Sequence, residues 1–293
     1  LHFSQAAAQS KATPNLPVLP RYWSSMSSEK ASALVLRLVD FSETSSVVTL
    51  FTREFGKVQA LAKGGRRPKG PFESALDLLA HCRIVFLRKS SDALDLLTEA
   101  KLERRFRPPA GSLPALYAGY YVAELLGKLT DDYDPHPELF DEADDALVAL
   151  RDGADPGRRV LRFELMALRL LGHLPSLDNC AECGERVEPT GGRVPFSLAA
   201  GGVLCGACRT GKKQIVSLGA GVPAAMRVLA EARPGPWQAM AWERGVQGEL
   251  RGLLNRYFTY LLGHGLEMHR YLTAQEAKQR QVPTKLITEL DES

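Results

Sequence analysis

The chain is poor in cysteine, tryptophan and histidine, and it has no long hydrophobic run. Its 293 residues include five Cys, three Trp and six His. No apolar stretch reaches the roughly 20 residues a membrane-spanning helix needs, so a helical membrane protein is excluded. No basic segment followed by an apolar core lies near Leu1, so that stretch is not expected to be a secretory signal. A chain of this length can bury a sizeable core without disulfides, and five Cys do not make a disulfide framework. The histidines are scattered and none forms an H-E-x-x-H pair. Gly56-Lys57 and Gly211-Lys212 are followed by Val58 and Lys213, where a phosphate-binding loop needs Ser or Thr. No G-x-G-x-x-G follows a strand. Machinery for nucleotide hydrolysis or zinc proteolysis is therefore not visible, and the chain is expected not to be an enzyme.

Hydrophobic residues make up 45% and charged residues 24%, the profile of a folded protein. The length allows two domains. Net charge is only +3, but its distribution is uneven. Residues 29–107 carry 15 basic and 10 acidic side chains, whereas residues 108–175 carry 6 basic and 12 acidic. Two units with different surfaces are implied. Residues 1–28, rich in Ala, Ser, Gln and Pro, are expected to be a disordered leader, with Met26 a candidate start.

From Ala33 the pattern is that of strands. Ala33–Asp40, Ser45–Thr52 and Lys57–Lys63 are β-branched or alternating, and Gly56 sits where a turn needs positive φ. A fourth strand is expected within Leu76–Leu87. Leu94–Leu102 supplies a fifth, with a helix as its competitor. Five short strands in this span suit a small closed barrel of the OB type, or another five-stranded β-fold. Helices are expected at 113–129, 138–150, 158–171, 222–232 and 245–262. The carboxylates between Asp131 and Asp145 read as a solvated loop and helix face.

Two features carry chemistry. The first is Lys63-Gly64-Gly65-Arg66-Arg67-Pro68-Lys69-Gly70, four cations among Gly and Pro between strands. Clustered Lys and Arg can track phosphates and release counterions. Arg37, Arg53, Lys57, Arg88 and Lys89 come from nearby strands and turns and are candidates for the same face. Phe55 and Phe72, at turn or loop edges, are the candidates for stacking on bases. The second feature is Cys180-Ala-Glu-Cys183 with Cys205-Gly-Ala-Cys208, separated by 21 residues. Paired C-x-x-C turns place four thiolates round one tetrahedral Zn²⁺ with no open position, which makes a structural site. Two dithiols or disulfides are the alternative. Arg186, Arg209, Lys212 and Lys213 can screen the site's negative charge or contact nucleic acid. Cys82, alone in an apolar strand, reads as a buried small hydrophobe.

The run from Phe41 to Val58 (FSETSSVVTLFTREFGKV), the run from Ala60 to Lys69 (ALAKGGRRPK), and the order strand–basic loop–helices–paired cysteines–helices resemble the RecO family of bacterial DNA-repair proteins. The resemblance covers about residues 30 to 270. It implies an α+β protein with an N-terminal OB-fold and a helical domain carrying an inserted zinc finger. It also implies binding of single- and double-stranded DNA, annealing of complementary strands, and help in loading RecA onto single-stranded DNA coated by single-strand-binding protein. RecR and the acidic tail of single-strand-binding protein are the implied partners, in the bacterial cytoplasm near the nucleoid. An RNA-binding OB-fold and zinc-knuckle module is the alternative. The expected plan is a leader at 1–28, an OB domain at 29–107, helices at 108–175, a zinc finger at 176–215, helices at 216–275 and a tail at 276–293.

Overall fold

A computed structural model describes residues 27–67, 70, 72, 75–89, 93–232, 235–241 and 245–272. Expectations for Lys69, for most of the leader and for the tail lie outside the described residues.

Five strands close a barrel: β1 (Ser27–Asp40), β2 (Ser46–Thr52), β3 (Gly56–Ala62), β4 (His81–Arg88) and β5 (Asp95–Arg104), in the order β1-β2-β3-β5-β4. All neighbours are antiparallel except β3 and β5, and β4 closes onto β1. This is the OB-type arrangement expected from the pattern. The strands alternate as their sequences do. On β3, Val58, Ala60 and Ala62 are buried while Gln59 is exposed. Val35, Val48, Leu50, Val58, Ile84, Phe86 and Leu97 fill the barrel.

Two strands differ from expectation. β1 begins at Ser27 although Ser27–Ser32 is polar, because this stretch pairs with β4 from Ser27↔Arg88 onward. Ser27 and Ser28, placed in the leader by composition, are thus rungs of the sheet. Segment 95–104 is a strand and not a helix. It is the piece that pairs with both β3 and β4, and without it the barrel would have two open edges.

Three helices follow: α1 (Leu113–Leu129), α2 (Pro137–Arg151) and α3 (Pro156–Leu170). Each has Pro in its first turn, where the missing N–H costs nothing. Asp155 caps α3 by accepting from the Arg158 amide at 2.6 Å. A small module comes next, with β6 (Arg193–Ser197), β7 (Gly202–Val203), α4 (Gly206–Arg209) and β8 (Ile215–Gly219). It leads into α5 (Gly221–Ala230), α6 (Pro236–Ala239) and α7 (Val246–Leu262). No helix among the described residues is long and apolar enough to cross a membrane.

α3 is the central helix, with every residue from Arg159 to Leu168 buried. Its buried charges face partners on neighbouring helices. Glu164 is fully buried and paired with buried Arg251 of α7 at 2.7 and 2.8 Å. Tyr121 of α1 donates to the same carboxylate at 2.5 Å. Three helices are thus tied at one buried charge pair. Arg162 and Arg169 donate to carbonyls at the end of α5, from Leu229 to Glu231, where the helix leaves acceptors unsatisfied.

The barrel and helices share a core. Leu34, Leu36 and Phe51 point out of the barrel and into the helical cluster, with Phe51 against Phe140 at 6.2 Å between centroids. Burial of two such rings contributes roughly 1.5–3 kcal/mol each. Polar interactions surround that apolar contact. Arg53 grips Asp141 in a two-pronged pair at 2.8 and 2.9 Å. The Lys57 ammonium donates to the carbonyls of Gly127 and Thr130 at 3.2 and 2.5 Å, at the negative end of α1, and faces Asp132 at 3.5 Å. Asp144 bonds to His81 and Arg104. Burial opposes its ionisation, yet hydrogen bonds with His81 and Arg104 outweigh it and hold the carboxyl below its ordinary value. The acidic run expected to be solvated is, in Asp132, Asp141 and Asp144, the polar half of this seam.

Gly56 marks the tightest approach. Its φ is +70°, and a Cβ there would lie 2.0 Å from the Asp134 carbonyl oxygen. Gly56→Ala is expected to lose about 2–4 kcal/mol, combining a left-handed non-glycine residue with overpacking. Urea unfolding checks this. A loss below about 0.5 kcal/mol would mean that the seam yields freely.

Candidate nucleic-acid interface and metal centre

The strand register divides the expected cations between two ends of the barrel. One end holds the β2–β3 turn, where Thr52 Oγ1 donates to the Gly56 carbonyl at 2.8 Å and accepts from the Phe55 amide at 3.0 Å. Arg53 and Lys57 lie there, and both are engaged by the helical domain. Arg88 is at the same end, with its guanidinium 4.0 Å from the ring centre of Tyr133. Tyr133 in turn bonds by its amide to the Lys57 carbonyl at 2.9 Å. Lys89 is half-buried beside Arg88, and its amide donates to Asp95 at 2.9 Å.

The other end, roughly 20 Å away along β2, holds the β1–β2 loop and the basic loop after β3. Lys63, Arg66 and Arg67 are exposed there. The loop is a chain of turns, with amides of Gly65 and Arg67 bonded to the carbonyls of Ala62 and Gly64 at 3.2 and 3.0 Å. Arg66 fastens it to the β1–β2 loop. The Arg66 amide donates to the Thr44 carbonyl at 3.2 Å, its guanidinium donates to the Ser42 carbonyl at 3.1 Å, and it pairs with Asp40 at 3.3 Å. Two loops distant in sequence thereby form one rim. Arg37 is exposed on the outer face of β1. Thus Lys63, Arg66 and Arg67 share one rim, whereas Arg53, Lys57, Arg88 and Lys89 are gathered elsewhere; Arg37 stands mid-strand between them, opposite Thr49, and lines a groove with Lys57 and Gln59.

The aromatic candidates change. Phe72 is 4% exposed and packs into the barrel cluster, so it offers no ring to a ligand. Phe55 is half-buried edge-on against Phe86 at 5.6 Å. Among the described barrel residues an exposed ring is that of Phe41, 64% accessible in the β1–β2 loop, which sequence reasoning passed over. The available signal was an aromatic immediately before the polar run Ser42-Glu43-Thr44-Ser45-Ser46 between two strands.

The four paired cysteines converge. Their sulfurs all lie within 4.8 Å of one another, and Cys183 and Cys205 are 3.8 Å apart. A metal–sulfur bond of about 2.3 Å in a tetrahedron requires sulfur separations of about 3.8 Å. A disulfide needs about 2.05 Å, and all five cysteines are free thiols. Each knuckle is locally built. Gly184, at φ +77°, turns the chain so that its amide reaches the Cys180 carbonyl at 2.9 Å. Cys205 opens α4, its sulfur accepting from the Cys208 amide at 3.4 Å. The Ala181 amide bonds to the Val203 carbonyl at 2.9 Å, and Lys212 pairs with Glu182 at 2.8 Å, so the knuckles are joined on two sides.

Without a cation the four thiols cannot ionise together. Burial opposes ionisation of Cys180, but hydrogen bonds from the backbone at Cys183, Cys205 and Glu182 outweigh it and bring the thiol to about 6. Hydrogen bonds to the Cys205 and Cys183 sulfurs push Cys208 up to about 12. The donor set is all thiolate with four members, which suits a soft or borderline tetrahedral ion and leaves no coordination position for a substrate. Cys82 is separate. It is fully buried, donates to the Ala75 carbonyl at 3.0 Å, and burial pushes its thiol up to about 12. The cysteine module docks on the helices through Val194, Phe196, Val203 and Leu218, with Phe196 edge-on to Tyr257 at 6.0 Å.

Both halves of the chain are similar to known proteins. Residues 26–106 match the family model for the recombination protein O N terminal domain, and residues 110–269 match that for the C terminal domain. The DNA repair protein RecO of Rhodopirellula baltica is 42% identical, over 82% of this chain and 97% of its own. That of Anaeromyxobacter dehalogenans is 37% identical, over 83% and 95%. That of Halalkalibacterium halodurans is 27% identical, over 85% and 95%.

Elemental analysis of the purified chain is expected to give about one metal ion per molecule. Cys205→Ser should lower the thermal midpoint and release the ion more readily to a chelator. Metal-free protein with all four thiols freely titrating would reject the centre.

Proposed function

Because the chain belongs to the recombination protein O family of DNA-repair proteins, matching it through both halves, we propose that it works by holding DNA strands and not by making or breaking bonds. In this reading it binds single- and double-stranded DNA, anneals complementary strands, and assists RecA loading onto single-stranded DNA coated by single-strand-binding protein. RecR and the acidic tail of single-strand-binding protein are its protein partners. The observation that carries the reading is the rim built by Arg66. It holds Lys63 and Arg67 exposed on one side of an OB-type barrel, the side where strands 2–3 and the first loop meet oligonucleotides in this architecture.

The physics is electrostatic. A single strand in free solution carries condensed counterions, and cations that neutralise its phosphates release them. Two strands neutralised on neighbouring sites repel each other less, and pairing then proceeds from base complementarity. Arg37, Lys63, Arg66, Arg67 and Lys69 contact phosphates. Arg53, Lys57, Arg88 and Lys89 are a second group, in which Arg53 and Lys57 serve first as struts to the helices. The cysteine centre holds zinc through Cys180, Cys183, Cys205 and Cys208. Zinc in an all-thiolate site contributes folding free energy and takes no part in a reaction.

Lys63→Ala with Arg67→Ala removes two exposed cations and leaves the Arg66 fastening in place. Affinity for single-stranded DNA should fall, and the slope of log K against log salt should flatten by about 1.4, since each phosphate of a single strand neutralised by a cation adds about 0.7 to it. Fluorescence anisotropy at several salt concentrations reads both quantities. Wild-type affinity and slope in the double variant would remove the rim from the interface. Arg66→Ala should weaken binding more than its single charge predicts, because the two loops then part.

A further inference from the structure

The outer face of the first three strands carries an apolar patch that belongs to neither core. Beyond the β1 bulge between Val35 and Arg37, side chains alternate, with Leu38 turned toward the barrel interior and Arg37 and Val39 outward. Phe41 follows directly after β1, in the loop at the end of this row. The register sets Val39 opposite Val47 and Val47 opposite Leu61. Val48, Ala60 and Ala62 fill the barrel, so Val47 and Leu61 face out. Val39 is 43% and Phe41 64% exposed. Single exposed apolar residues need no explanation, but a contiguous group bordered by cations does.

The border is cationic. Arg37 stands at one side of the patch, and Lys63, Arg66 and Arg67 at the other. The carboxylates beside it are Asp40, the last residue of β1, which pairs with Arg66 at 3.3 Å, and Glu43 of the β1–β2 loop. Apolar surface with an aromatic at its edge, framed by Lys and Arg, is complementary to a chain that alternates π-faces with phosphates. The tip is also held still. The Phe41 and Ser42 amides donate to the Ser45 carbonyl at 3.0 and 3.1 Å, and the Ser45 amide donates to Ser42 Oγ at 3.2 Å. With Arg66 lashed across the same turn, the ring is presented on a closed loop, so ordering it on binding costs little.

We infer that Phe41 is a base-stacking residue: an unpaired base of single-stranded DNA lies on its ring, with Val39, Val47 and Leu61 as the apolar floor and the flanking cations on the phosphates. This rests on the proposed function and adds a source of preference for single strands, since a paired base offers no free face. Stacking does not depend on salt, so removing the ring and removing a phosphate-binding cation have different signatures.

The test uses the full chain and two labelled probes of about 16 nucleotides, the upper site size for one barrel of this type. One is oligothymidylate, the other an abasic strand of equal length and charge. Wild-type protein should bind the thymidylate more tightly. Phe41→Ala should weaken thymidylate binding about 5- to 100-fold, with an unchanged salt slope and unchanged affinity for the abasic strand. Phe41→Trp should restore binding and report it by quenching. An alanine variant equal to wild type on thymidylate, or weakened equally on both probes, overturns the inference. So does wild-type protein that binds both probes equally, although phosphate binding then stands. Wild-type protein that binds neither probe overturns the proposed function along with it.

Discussion

The electrostatic seam between the barrel and the helices decides what the rest of the surface can do. The barrel segment carries an excess of cations, and the helical segment that follows carries an excess of carboxylates. Asp141 takes Arg53, Asp144 takes Arg104, and the end of α1 with Asp132 takes Lys57. These pairs surround the apolar contact in which Phe51 meets Phe140. Exposed pairs contribute little each. Their larger effect is on surface charge, because Arg53, Lys57 and Arg104 are paired within the chain, whereas Lys63 and Arg67 at the other end stand exposed.

The same logic of cancelling charge locally recurs inside the helices. Glu164 and Arg251 are buried together and tied to Tyr121. A pair like this adds less stability than its Coulomb energy suggests, but leaving either charge alone would be costly. It therefore fixes which way α1, α3 and α7 face one another. The cysteine module is a third case, in which four thiolates need a cation from outside the chain. Its strands lend Phe196 and Val203 to the helical core, so a metal ion held by the four thiols would stabilise a piece on which the helices lean.

The fold was legible where local chemistry and tertiary demand agree. The strands rich in Val and Leu, the turn at Gly56, the helices opened by Pro and the C-x-x-C pairs were all readable. Segment 95–104 was ambiguous because Ala, Leu and Glu favour a helix, while barrel closure favours a strand. Ser27–Ser32 carried no strand signal because its pairing comes from β4 alone. The site was half legible. Residue type marked the cations, but which of them meet was a matter of register: Arg53 and Lys63 lie only ten residues apart yet at opposite ends of a strand pair. Phe72 looked like a loop-edge aromatic and is buried, whereas Phe41 was passed over and stands in solvent.

By itself, the sequence determined the inventory: a barrel of short strands, a helical remainder, four thiols at metal spacing, and a surplus of cations in the first unit. These follow from period, turn chemistry and spacing, all of which act within a few residues. Only the tertiary structure decided the allocation: which carboxylates cancel which cations, which aromatic is exposed, and which two loops Arg66 joins. Coulomb pairing and packing act through space between residues far apart in the chain, 88 positions in the case of Arg53 and Asp141, and no local pattern encodes that choice.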